Sequence, residues 1–126
     1  MKRQQLLIER ANKVLDEKKI PGPYLSKLRW ILQHNKLTYT DNATRTAGDE
    51  NGKQVTARFY ATANIATGQI RLTSVIWNTF SGQKLLNRLY YDIVHELRHV
   101  MTGSHKHLSR PAKFDSINQK LGGYFK

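Results

Sequence analysis

An α+β fold is predicted for this 126-residue sequence by a change of period along the chain. Apolar residues recur at helical spacing over residues 6–34, alternate between 37 and 77, and return to helical spacing over 81–101. Leu6, Leu7, Ala11, Val14 and Leu15 outline a first helix. Ile20-Pro21-Gly22-Pro23 breaks it, since proline removes an N–H donor and clashes with the preceding turn. A second helix is expected over 24–34, with Leu25, Leu28, Trp30, Ile31 and Leu32 supplying its apolar surface. Strands are expected at 38–40, 55–60 and 70–76, where β-branched and aromatic residues alternate, with turns at 48–52 and 66–68. Together they form a small antiparallel sheet. In its last strand Ile70, Leu72 and Ser74 alternate with Arg71, Thr73 and Val75, which gives one face to bury. The longest helix begins at Ser81 and carries Leu85, Leu86, Leu89, Tyr90, Ile93, Val94, Leu97 and Met101 in a wide apolar stripe. Gly103 is its expected stop, followed by a His-rich basic loop and a short C-terminal helix over 113–121 that leaves through Gly122-Gly123.

At roughly 100 to 200 residues per domain, the length fits a single domain over 1–126. Hydrophobic residues at 39% are sufficient for a core of its own. No run of about 18 apolar residues is present, and Leu6-Leu7-Ile8 is too short for a signal-peptide core, so a cytoplasmic protein without a membrane partner is expected. The absence of cysteine excludes disulfides, thiolate metal sites and cysteine nucleophiles, which leaves His, Asp and Glu as the only strong metal ligands. The net charge is +12 and sits mainly at the ends: +6 over 1–36, +2 over 37–94 and +4 over 95–126. A basic surface of this size attracts polyanions through counterion release and also keeps a small protein soluble.

The chemistry lies in His95-Glu96-Leu97-Arg98-His99 on the long helix. Four residues are slightly more than one turn, so His95 and His99 project side by side toward one metal, and Glu96 stands beside it as a general base. With 5 His in 126 residues and the chain's own glutamate content, chance produces this string about 0.006 times. A zinc ion held by two imidazoles and a third ligand keeps a position open for catalysis and activates water toward a carbonyl. The third ligand is expected in Gly103-Ser104-His105-Lys106-His107, where Gly103 reverses the chain. His105, six residues after His99, needs the shorter loop, and His107 is the alternative. Asp92, one turn before Glu96, is either a carboxylate that orients a ligand or a solvated helix residue. His34 has no potential ligand near it in sequence and is expected at the surface or as a helix cap.

Arg45-Thr-Ala-Gly48, the stretch Thr67-Gly-Gln-Ile70-Arg-Leu72-Thr-Ser74, and Leu89-Tyr-Tyr-Asp-Ile-Val-His95-Glu-Leu-Arg-His99 together resemble the SprT-like zinc metallopeptidases over residues 45–114. The resemblance implies a zincin-like domain with an active-site helix packed on a small sheet, in which His95 and His99 hold Zn2+ and Glu96 is catalytic. It also implies an edge strand, expected at 70–74, that holds an extended protein or peptide substrate by strand addition. SprT-like chains place the third histidine in a His-Gly-x-x-Phe stretch, whereas Arg110-Pro-Ala-Lys-Phe114 has arginine there. The related WLM metalloproteases read His-Glu-Leu-x-His-x-x-x-Gly-x-His, which is similar to His95 through His105 with Gly103 in place. That match supports His105. The cysteine-bearing zinc ribbon that follows many SprT-like domains has no counterpart here.

The sequence thus predicts a zinc metallopeptidase, with DNA-associated proteins among its expected substrates and single-stranded or duplex DNA as a partner of its basic surface. The alternative is a basic nucleic-acid-binding module whose zinc site is structural or inactive, with Trp30, Trp77 and Tyr60 as stacking surfaces. Glu96 separates the two, because a structural site has no use for a carboxylate at that position.

Overall fold

The computed structural model describes residues 2–48, 52 and 54–103. The chain runs α1 (Arg3–Glu17), α2 (Gly22–Gln33), β1 (Leu37–Thr40), β2 (Thr44–Gly48), β3 (Gln54–Arg58), β4 (Ala61–Ala63), β5 (Ile70–Thr73), α3 (Ser74–Thr79) and α4 (Gly82–Thr102). The mixed α+β class expected from the periodicity is present. The expected helix over 113–121 lies outside the described residues.

Pro21 sits at the N-cap of α2 and Pro23 in its first turn, where the missing N–H groups have no intrahelical partner to lose. Leu7, Ala11 and Val14 of α1, Tyr24, Leu28 and Ile31 of α2, and Leu89, Tyr90, Ile93, Val94 and Leu97 of α4 meet Leu37, Ile70 and Leu72 in one core. Most of these side chains are wholly buried, and each Leu, Ile or Val among them contributes roughly 1.5–3 kcal/mol of hydrophobic stabilisation. Tyr90 also donates its hydroxyl hydrogen bond to Glu17 at 3.1 Å, tying α4 to the end of α1.

The sheet differs from the expected antiparallel arrangement. β1, β5 and β4 form a three-stranded sheet in that order, with β1 parallel to β5 and only β4 antiparallel to it. β2 and β3 form a separate antiparallel ribbon. The parallel pair arises because the ribbon and β4 fill the crossover between β1 and β5, a role usually taken by a helix. The expected strand 70–76 ends at Thr73, and Ser74 begins α3. That turn of helix drives Ile76 fully into the core, so tertiary burial overrides the strand preference of Val75 and Ile76.

β5 is therefore the central strand, which corrects the expectation of an edge at 70–74. The edge of β1 is covered from α1: the Gln4 amide donates to the Leu37 carbonyl at 2.9 Å and accepts from the Tyr39 N–H at 2.7 Å. β4 is the edge left open among the described residues. Its ladder to β5 uses Tyr60, whose carbonyl accepts from the Thr73 N–H at 2.9 Å, and Asn64, whose N–H donates to Gln69 at 2.8 Å. By the antiparallel alternation, the main-chain groups of Ala61 and Ala63 point away from β5.

Gly68 shows why the turn at 66–68 needs glycine. Its φ is +78°, a conformation strained for any residue with a side chain, and an added Cβ would press on the Trp30 ring at 3.1 Å.

Candidate metal centre

α4 is buried along its core face and ends at Gly103, whose φ of 65° is the left-handed cap geometry and whose N–H bonds the His99 carbonyl. The last two turns of the helix are thereby held in place. His95 and His99, one turn apart on it, bring their Nε2 atoms to 3.2 Å with the ring centroids 4.8 Å apart and the planes near perpendicular. Two imidazole nitrogens at that separation share one proton or turn their lone pairs toward one cation. One ligand atom each from His95, Glu96 and His99 lies within 4.8 Å of the others, so the three residues form a cluster of metal-ligating type. His99 and Glu96 are buried and His95 half-buried. The donor set, nitrogen and oxygen without thiolate, fits a divalent cation of borderline character.

Burial pushes the Glu96 carboxyl up to about 7, and the nearby charge of Asp92 adds to the shift. Asp92 is itself raised to about 6 by burial, against the opposing pull of the Arg88 guanidinium, whose Nε donates to its carboxylate at 3.0 Å. Asp92 is therefore not the solvated helix residue that was one expectation for it. It is 3% exposed rather than solvated, and its ion pair is to Arg88. Its effect on the site is electrostatic, through Glu96.

Two residues beside the cluster, Tyr91 and Arg88, were not foreseen from the sequence. The Tyr91 ring stacks on His95, with centroids 5.6 Å apart and planes within 11°. Arg88 lies 4.6 Å from the Tyr91 ring centre and also sits over Tyr60, at 4.8 Å, and Phe80, at 5.6 Å. Arg88, Tyr91, His95 and His99 thus make a column along one face of α4, and Tyr60 ties that column to the start of β4. The i, i+3, i+4 spacing of 88, 91, 92 and 95 was the available signal.

His105 and His107 lie outside the described residues. His34 is exposed at the C-cap of α2, where its Nδ1 lies 2.8 Å from the Trp30 carbonyl and its ring stacks on Trp30. Of the three aromatics expected as stacking surfaces, Trp30 carries Lys27 at 4.2 Å as well as His34, and Trp77 packs against Tyr39 and Arg3. Tyr60 is the exposed one, beside Arg88. No helix among the described residues is long and apolar enough to cross a membrane. No protein-family model, curated protein or solved structure matches the chain.

Proposed function

We propose that this protein is a zinc-dependent peptidase of the zincin type. The observation that carries the proposal is the convergence of His95 and His99 Nε2 atoms at 3.2 Å beside a buried Glu96 carboxyl held near neutrality. His95 and His99 would hold the zinc, with His105 completing the set. When bound, zinc supplies Lewis acidity toward the substrate carbonyl and the attacking water. Glu96 takes the proton of that water and delivers it to the leaving amine, the task of a general base and acid placed beside the reacting groups. Tyr91 stacks on the His95 ring and limits its rotation. The open edge of β4 is the place for an extended peptide, since Gln4 already occupies the edge of β1. Ala61 and Ala63 would offer the main-chain hydrogen bonds, independent of substrate sequence.

Calorimetric titration with zinc tests the ligand set. The parent chain is expected to bind one ion, and His99→Ala and His105→Ala each to weaken it beyond the roughly 10- to 100-fold typical of losing an outer-shell partner. His107→Ala should bind like the parent. Parent-like binding by His105→Ala would remove that residue from the ligand set, and failure of the parent to bind would remove the peptidase proposal.

The net charge of +12 favours DNA-associated proteins as substrates. Anisotropy of a duplex oligonucleotide across a salt series is expected to give a log-log slope of about −0.9 per phosphate contacted, or about −0.7 on a single strand. Absence of binding at about 0.1 M salt, where the Debye length is roughly 10 Å, would reduce the charge to a solubility feature.

A further inference from the structure

The three-stranded sheet has a second face that the metal centre does not use. Leu37, Ile70 and Leu72 point into the core, so the intervening row Thr38, Arg71 and Thr62, paired across β1, β5 and β4, points the other way. Over that face lies a cavity of about 600 Å3, within the roughly 300–1,000 Å3 usual for small-molecule sites. Thr40, Thr62, Arg71 and Thr73 line it from the strands, and the turns at Asn42 and Asn64 line it from the loops.

The hydrogen bonds around the cavity leave it biased toward donors. Asn42 Oδ1 accepts from the Thr44 N–H at 3.1 Å and from the Thr44 hydroxyl at 2.9 Å. Asn64 Oδ1 accepts from the N–H groups of Ala66 and Thr67, at 3.0 and 3.2 Å. Only the amide oxygen accepts from an N–H, so both side chains are fixed with their NH2 groups left to donate. The Thr73 hydroxyl is used on the Phe59 carbonyl, and Gln69 Oε1 accepts from Arg71 Nη2 at 3.4 Å. Among the described residues no Asp or Glu lines the cavity and no carboxylate pairs with Arg71, which is exposed. An arginine with no counter-charge among the described residues, beside two amide donors, makes a setting complementary to an oxyanion. Phe59, Ile65 and Ala66 add apolar wall for the rest of a small molecule.

We propose that this cavity is a binding site for a small organic anion, whose phosphate or carboxylate meets the Arg71 guanidinium and the Asn42 and Asn64 amides. The site is separate from His95, Glu96 and His99 and does not depend on the peptidase proposal.

The test is a titration of the 15N-labelled, metal-free full chain with inorganic phosphate, and in parallel with acetate, at constant ionic strength. Saturable shifts of the Asn42 and Asn64 side-chain NH2 signals and of the Arg71 Nε–H are expected, and Arg71→Gln should weaken the saturation at least tenfold with core amide signals unchanged. Tighter saturation by phosphate would assign a phosphorylated ligand, and tighter saturation by acetate a carboxylic acid. The same titration of His95→Ala should follow the parent. Shifts that grow linearly and are reproduced by chloride, or an Arg71→Gln chain that titrates like the parent, would overturn the proposal.

Discussion

Glu96→Gln is expected to retain zinc and the fold while losing peptide-bond hydrolysis by about 100- to 10,000-fold, the usual contribution of a positioned general base. Glutamine has nearly the volume of glutamate and places no charge in a site that is only 7% exposed, so neither packing nor solvation opposes the change. What it lacks is basicity. The comparison is made on an unfolded protein such as casein with the two forms at equal zinc content, and the melting temperature in zinc serves as the check on folding. Equal rates would remove Glu96 from the catalytic role and leave a metal site with a different use. The direction of the stability change also carries information. A neutral amide does not suffer the repulsion from Asp92 that raises the Glu96 carboxyl, so the metal-free variant should be at least as stable as the parent above neutral pH.

How much of this was legible in the sequence differs from element to element, for physical reasons. α4 and its His95-Glu96-x-x-His99 face could be read directly, because a wide apolar stripe and a two-histidine spacing are both properties of one helix and need no knowledge of the remaining chain. The sheet was less legible. β1 and β5 pair in parallel across 33 residues, and no local pattern distinguishes a parallel partner from an antiparallel one. Val75 and Ile76 read as strand, but the burial of Ile76 against the core decides for α3. The edge assignment at 70–74 failed for a related reason: β1 pairs with β5 from far along the chain while β4 takes its other side, which makes β5 central. At the site, the ligand spacing was visible, whereas the column of Arg88 and Tyr91 depended on which helix face turns toward β4. That Asp92 is buried rather than solvated was not legible, because its burial depends on elements far from it in sequence.

The second large effect is on stability against pH in the metal-free protein. Asp92, raised from 3.8 to about 6, and Glu96, raised from 4.5 to about 7, both hold their protons more tightly folded than unfolded. A raised folded pKa means stability that is fully present below the unfolded value, near pH 4, and is lost as the pH climbs through 6 to 7. At 1.36 kcal/mol per unit, each carboxyl accounts for about 3 kcal/mol, a large share of the roughly 5–15 kcal/mol that stabilises a domain. With chelator present, denaturant unfolding should show stability falling between pH 4 and 7, the reverse of acid denaturation driven by salt-bridged carboxylates. Asp92→Asn should remove its own share of that slope and, by lifting the repulsion on Glu96, part of the second share as well. Zinc should reverse the trend, because imidazoles bind metal only as neutral bases and the stabilisation from binding therefore grows with pH. The crossing of the two curves defines the pH above which the site is more stable loaded with cation than protonated. A flat profile in chelator would show that Asp92 and Glu96 are hydrated in solution, and with it the argument for a Glu96 carboxyl poised near neutrality would fail.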